Sequence, residues 1–280
     1  MMNHQLFLHE LRMRFINYQR NAVINERNKA ATHIDDLYNS QIFLINLDRT
    51  PERFEKVLPR IRAAGFKRLE RIAGVDARLM QENNTLRDEW AKHGSPKFLT
   101  DNGAYIKLLQ RHIGREGCML SHLNIWKKII EMEGVDDKTY FTIFEDDIDF
   151  HENWHKLAPK YWSQTPKDFD ILFIGNELFV PKYCHYKCDI ISRDPTYCTH
   201  AYVITRSGAE KLYKLLLNNE GGIYTIDHML YDLMCNKAFT WYCWRNTTFE
   251  SGYWRYMQNK KITGLVLQSD EFPSLIIPCV

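Results

Sequence analysis

Four carboxylates fall within five residues at Glu145, Asp146, Asp147 and Asp149, directly after the apolar run Tyr140-Phe141-Thr142-Ile143-Phe144. Like charges this close repel one another, and setting them at the end of a buried strand costs stability. A bound Mg²⁺ or Mn²⁺ removes that cost. Such hard cations take carboxylate oxygens and complete their shell with diphosphate oxygens. Asp147 and Asp149 form an Asp-x-Asp pair and are the expected metal ligands. A solvated acidic turn gives the same pattern, so the run alone leaves both readings open.

The elements around the run say where it sits. The run Ile42-Phe43-Leu44-Ile45-Asn46-Leu47 reads as a buried strand. Thr50, Pro51 and Glu52 then supply an N-cap, a first helical position and an acidic first turn. That helix is expected to run towards Ala64 and stop at Gly65, with Pro59 kinking or shortening it. A second helix starts near Gly117, with Met119, Leu123, Trp126 and Ile130 on its inner face. Further strands are expected at Phe169–Ile174, ending at Gly175, and at Ala201–Thr205. The latter leads into a helix with a capping box of Ser207 and Glu210. Alternating strands and helices predict an α/β fold with a mostly parallel sheet. Ligands of such sheets bind beyond the carboxyl ends of the strands, where the acidic run falls.

Residues 76–112 are polar and irregular and read as a surface excursion. Residues 1–40 read as a helical prefix, because Leu8, Leu11, Phe15 and Tyr18 recur at helical spacing. The prefix is expected to pack on the main domain or to mediate self-association. The main domain is expected to occupy residues 41–280.

Composition bounds the function. The chain has 280 residues, 45% hydrophobic and 26% charged, which suffices for one sizeable core. A formal charge of +2 gives no basic footprint for nucleic acid. Seven Cys in no framework spacing read as mostly free thiols, which favours a reducing compartment. Cys184-His185-Tyr186-Lys187-Cys188 lacks a second ligand pair, so zinc is not expected there. The first residues lack a secretory apolar run, and no stretch reaches the roughly 20 apolar residues of a membrane span. A cytoplasmic location is therefore expected.

The blocks IFLINLDRTPERFE, GREGCMLSHLNIWKKI, FTIFEDDIDF, FDILFIG, THAYVITRSGAEKLY and TIDHMLYD follow one another in this order. In this the chain resembles glycosyltransferase family 25, which includes bacterial lipooligosaccharide transferases, collagen galactosyltransferases and giant-virus members. The resemblance implies a GT-A-like domain, a UDP-sugar donor and Mn²⁺ or Mg²⁺. It places Asn46 and Leu47 at the uridine, with Arg49 and Arg53 near the phosphates. Ser121 and His122, in a block that also holds Glu116 and Gly117, are implied contacts to ribose or sugar hydroxyls. Asp146, Asp147 and Asp149 match the family's acidic run. His200, in the block with Thr199 and Tyr202, is an implied sugar contact or metal ligand. Asp227 is the implied acceptor-side carboxylate, His228 a third metal ligand or a helix cap. Gln268, Ser269 and Asp270 match a closing segment of unassigned role.

The reading is a metal-dependent transfer of glucose or galactose from a UDP-hexose to a hydroxyl. The blocks lean towards hydroxylysine or glycosyl-hydroxylysine of a collagen-like acceptor, with a lipooligosaccharide or other glycan as the alternative. The missing leader suits a bacterial or viral member. Metal-dependent phosphoester hydrolysis would need more Asp and His ligands on neighbouring strands. A non-catalytic relative is disfavoured by the intact acidic run.

Overall fold

The structure, a computed structural model, describes residues 34–94, 113–178, 190–219, 223–246, 262–269 and 271–272. Most of the prefix, residues 95–112 of the expected excursion, the Cys184–Cys188 stretch and Asp270 lie outside the described residues.

The strands are β1 (Gln41–Asn46), β2 (Arg68–Ala73), β3 (Tyr140–Glu145), β4 (Ile148–Phe150), β5 (Ile171–Leu178), β6 (Ile191–Ser192), β7 (Tyr197–Thr205), β8 (Trp241–Trp244), β9 (Ile262–Thr263) and β10 (Val266–Gln268). The main sheet has the order β2-β1-β3-β7-β5-β8-β6, with β9 also paired to β5. Strands β2, β1, β3, β5 and β8 point one way, while β7 and β6 run against them. The sheet is thus mixed but mostly of one direction. The expected strand at Ala201–Thr205 is one of the reversed ones, inserted between β3 and β5. A separate ribbon pairs β10 with β4 just after the acidic run.

Both faces of the sheet are covered, and side-chain alternation sorts the residues between them. Phe43, Phe141, Ile143, Phe173, Tyr202 and Ile204 face one core. That core also holds α5 (Ile113–Glu131), α7 (Arg206–Leu217) and α8 (Ile226–Cys235). Ile42, Leu44, Phe144, Leu172, Ile174 and Val203 face the other. There they meet α1 (Asp35–Tyr38), α2 (Pro51–Ala63) and α6 (Trp154–Gln164). Two short helices, α3 (Ala77–Glu82) and α4 (Leu86–Ala91), occupy the first part of the expected excursion.

Several boundaries differ from the sequence reading for identifiable reasons. Pro59 sits inside α2 without ending it; Val57 and Ile61, both fully buried, anchor the helix on either side. Gly65 follows with φ +103°, the left-handed conformation expected of a helix stop. The cap of α7 is Thr205, whose hydroxyl accepts from Gly208 N at 2.9 Å, rather than Ser207. Strand β5 runs past Gly175 to Leu178, with register irregularities on either side of Gly175. In α5 the inner face uses Ile129 in place of Ile130, and Ser121 and His122 are buried as well. Residues 34–40, the described end of the prefix, pack onto the domain. Leu37 is fully buried, and Lys67 N donates to Tyr38 O at 3.2 Å.

Candidate active site

A cleft opens where β1, β2 and β3 end. Its floor carries Ile45, Asn46, Leu47, Glu145, Asp146 and Asp147, and one wall is Val75–Arg78, where the loop after β2 enters α3. The opposite wall is the first half of α5, through Gly114, Gly117, Cys118, Ser121 and His122. Arg49, Arg53 and Gln268 close the rim. The cleft holds about 720 Å³ of space continuous with solvent. It lies beyond the carboxyl ends of parallel strands, as an α/β sheet places its ligand sites.

Local chemistry fixes each side chain. Asn46, the last residue of β1, donates from Nδ2 to Asp146 Oδ2 at 2.7 Å and to Thr50 O at 2.9 Å. Its Oδ1 accepts from Arg71 Nε at 2.8 Å. Asn46 is therefore spent on holding Asp146 and the turn into α2. Arg53, one turn into α2 and only 5% exposed, places Nη1 3.3 Å from Asp146 Oδ1 and Nη2 4.0 Å from Asp147 Oδ2. Its Nε and Nη2 have no hydrogen-bond partner. Arg49 is half exposed and pairs through Nε with Asp76 Oδ2 at 2.5 Å.

The acidic run divides. Burial raises the pKa of Asp146, against the pull of Asn46 and Arg53. Burial and the Glu145 charge push Asp147 up to about 7, although Arg53 opposes this. One oxygen of Asp147, Oδ1, is buried without a hydrogen-bond partner. Glu145 behaves differently. Burial would raise its pKa, but the His122 hydrogen bond, the charges of His122 and His200, and the Thr199 hydroxyl carry it below the usual range. Asp149 leaves the cleft altogether. Its Oδ1 accepts from Phe150 N at 2.8 Å, its Oδ2 lies 3.8 Å from Arg60 Nη1, and its side chain is 51% exposed.

Behind the cleft runs a chain of hydrogen bonds. Trp126 Nε1 donates to the Tyr202 hydroxyl at 2.9 Å, and that hydroxyl bonds His122 Nδ1 at 2.9 Å. His122 Nε2 faces Glu145 Oε1 at 3.3 Å, and Thr199 Oγ1 donates to the same oxygen at 3.0 Å. Ser121 is committed to packing: its hydroxyl donates to Gly117 O at 2.7 Å and accepts from Val75 N at 2.8 Å. This clamps the loop wall to α5. Glu116 is buried under Trp90 Nε1 at 2.6 Å. His200 is buried over Gly175, with Nε2 3.1 Å from Val266 O. It is absent from the cleft lining but close enough for its charge to act on Glu145.

Asp227 stands in the first turn of α8, and its Oδ1 accepts from His228 N at 2.9 Å. The His228 ring lies 5.1 Å from Tyr197, at the start of β7. Because β7 is reversed, its start reaches the same edge as the ends of β1 and β3. The Cys118 thiol, whose pKa rises first through burial, also feels the charges of Glu145, Asp227 and Asp147. Asp227 is not among the residues that line the cleft, although its charge reaches the Cys118 thiol in the cleft wall. Asp147, Asp149 and His228 are not gathered into one cluster. Among the described residues, the group of three potential ligands within 4.8 Å of one another is Cys118, His122 and Glu145.

Sequence reasoning did not single out Cys118, the Val75–Arg78 wall or the Trp126–Tyr202 relay. The spacing of Cys118 and His122, four apart on a helix, was the available signal.

A family model for glycosyltransferase family 25 (LPS biosynthesis protein) matches residues 39–230, more than half of the chain and all the strands that floor the cleft. The chain belongs to this family. It is 27% identical over 219 residues to procollagen galactosyltransferase 2 of Homo sapiens, covering 72% of this chain and 31% of that protein. It is 26% identical over 185 residues to a glycosyltransferase 25 family member of Anopheles gambiae, covering 64% and 29%. To the procollagen lysyl hydroxylase and glycosyltransferase of Acanthamoeba polyphaga mimivirus it is 25% identical over 184 residues, covering 61% and 19%. The chain spans less than a third of the length of these relatives. The family match includes Asp227 and His228 and stops before Gln268. No helix of the described residues is long and apolar enough to cross a membrane.

Proposed function

We propose that this chain transfers a hexose, glucose or galactose, from a UDP-sugar to a hydroxyl of a collagen-like acceptor, hydroxylysine or its glycosylated form. The observation that carries the reading is Asp147. It is a largely enclosed carboxylate with one buried, unpartnered oxygen, held near a pKa of 7 by burial and by Glu145, at the carboxyl ends of the strands. Such a group fits a hard divalent cation, Mn²⁺ or Mg²⁺, which when bound supplies positive charge to the leaving diphosphate. Asp147 would hold it, with Asp146 kept in place by Asn46 and Arg53. Asp149 turns to Arg60, and among the described residues neither it nor His228 forms a group of three ligands with Asp147.

The protein's own groups account for the rest. Arg53 keeps Nε and Nη2 without hydrogen-bond partners beside Asp146 and Asp147, which suits a guanidinium that takes phosphate oxygens. Ile45, Leu47, Val75 and Ala77 offer an apolar lining for the uracil ring. Asp227, in the first turn of α8, is assigned either as the base that takes the acceptor proton or as a positioning carboxylate. His122 and Thr199 keep Glu145 ionised and fixed.

The collagen-like acceptor rests on the names of the human and mimivirus relatives; the family description supports a lipooligosaccharide acceptor as the second reading. The test is a panel of UDP-sugars against hydroxylysine peptide, galactosyl-hydroxylysine peptide and a lipooligosaccharide, with Mn²⁺ and with EDTA. Transfer to either peptide supports the first acceptor, and transfer to the lipooligosaccharide alone replaces it. No transfer from any UDP-sugar rejects the donor.

A further inference from the structure

The wall of the cleft carries donors of a kind that UDP-sugar chemistry with Mn²⁺ or Mg²⁺ does not use. Cys118 and His122 stand one turn apart on α5, and Glu145 ends β3 opposite them. The sulfur, an imidazole nitrogen and a carboxylate oxygen all lie within 4.8 Å of one another. All three residues line the cleft. We propose that Cys118, His122 and Glu145 form a second metal site, for Zn²⁺ or another borderline ion, separate from the oxygen-only site at Asp147.

The donor set selects the ion. Thiolate and imidazole suit zinc, whereas Mg²⁺ and Mn²⁺ prefer carboxylate and phosphate oxygens. Around a tetrahedral zinc with bonds of about 2.0–2.3 Å, ligand atoms stand roughly 3.3–3.8 Å apart. The His122 Nε2 to Glu145 Oε1 spacing of 3.3 Å is already there, and the sulfur, within 4.8 Å of both donors, has at most about 1–1.5 Å to close. The outer partners suit ligation too. The Tyr202 hydroxyl oxygen can accept from His122 Nδ1–H, which frees Nε2 for the metal, and Thr199 steadies Glu145. Three protein ligands leave a fourth position, and the cleft is where it opens.

Binding expels the thiol proton and breaks the His122–Glu145 hydrogen bond. Glu145, Asp147 and Asp227, the carboxylates whose charges reach the sulfur, disfavour a bare thiolate there but attract a divalent cation. An ion at this position fills part of the donor cleft and takes Glu145 out of its network. It therefore inhibits transfer; this consequence, unlike the binding itself, rests on the function proposed above.

The experiment titrates the metal-free full-length chain with Co²⁺, which reports its ligands optically. The proposal expects a thiolate-to-cobalt charge-transfer band with the visible bands of tetrahedral cobalt, all bleached by one equivalent of Zn²⁺. Cys118→Ser abolishes the charge-transfer band, while Asp147→Asn and the Cys184→Ser/Cys188→Ser double variant keep it. A Co²⁺ complex without a thiolate band, or a band that survives Cys118→Ser, overturns the site. Should Cys118→Ser fail to fold, alkylation of the wild-type chain decides. Zn²⁺ must slow Cys118 modification at least about tenfold without slowing that of exposed Cys235; equal rates with and without Zn²⁺ reject the proposal. None of these readouts depends on sugar transfer, so a chain that binds zinc but moves no sugar keeps this site and loses the proposed function.

Discussion

Asp147→Asn is expected to abolish transfer and yet to stabilise the metal-free protein at neutral pH. The folded state raises Asp147 from 3.8 to about 7, chiefly through burial and then through Glu145. The unfolded chain therefore binds fewer protons at this position between those two pH values, and stability falls as pH rises through that window. At 1.36 kcal/mol per pKa unit the full rise amounts to about 4 kcal/mol, which relaxation of the site reduces. Below about pH 4 both states are protonated and the penalty vanishes; above about pH 7 it is complete. Asparagine keeps the shape and cannot ionise, so the variant escapes the pH-dependent part. Comparing the two proteins at pH 5 and pH 8 cancels the pH-independent cost of the substitution. The stability gap should move by about 2–3 kcal/mol in favour of the variant on going from pH 5 to pH 8. For a domain of this size that is a relative Tm change of roughly 4–10 °C. Thermal unfolding followed by circular dichroism in EDTA reads it directly. Excess Mn²⁺ should then raise the Tm of the wild type alone at pH 8. A gap that is the same at both pH values would refute the argument that Asp147 is a strained, counter-ion-seeking carboxylate.

Three further outcomes follow from the geometry. Asp227→Asn, if the carboxylate is the base, should lower kcat by about 10²–10⁴-fold with little change in donor KM; a loss confined to KM makes it a positioning residue, and no change removes it from the site. Arg53→Lys keeps the charge but loses the planar fork and the contact with the Phe272 ring at 4.9 Å, so UDP affinity by calorimetry should fall about tenfold or more, and unchanged affinity contradicts the phosphate reading. Gly117→Ala places a Cβ 2.4 Å from Val75 O, so it should cost about 1–3 kcal/mol of stability in denaturant titration and weaken UDP binding by displacing the Val75–Arg78 wall; a variant with native stability and affinity would show that the wall yields freely.

The parts of the molecule legible in the sequence are those where pattern and burial agree. Strand β1 and the core of β3 are continuous apolar runs, and both are buried in the middle of the sheet. Strand β2 was missed because it is an edge strand. Its Arg68, Glu70 and Arg71 face partly into solvent, so it carries little apolar signal. The reversed direction of β7 was not legible either, since a strand followed by a helix looks alike in parallel and antiparallel settings. At the site, the location of the acidic run was readable but its division was not. Asp147 turns inward beside Arg53, whereas Asp149 falls in the β4–β10 ribbon opposite Leu267 and faces Arg60. That split depends on β10, more than a hundred residues away. Ser121 and His122 were readable as polar residues needing partners. Which partners, Val75 N and Tyr202 with Glu145, is a property of the folded sheet.

The proposed transfer requires the cleft to hold a divalent cation and a nucleoside diphosphate together at Asp147. Calorimetric titration of UDP into the full chain tests it most directly, run with Mn²⁺, with EDTA, and on Asp147→Asn with Mn²⁺. Saturable one-to-one binding is expected with Mn²⁺, weakened at least about tenfold, roughly 1.4 kcal/mol, by either EDTA or the substitution. Binding of equal strength in all three titrations, or none in any, contradicts it.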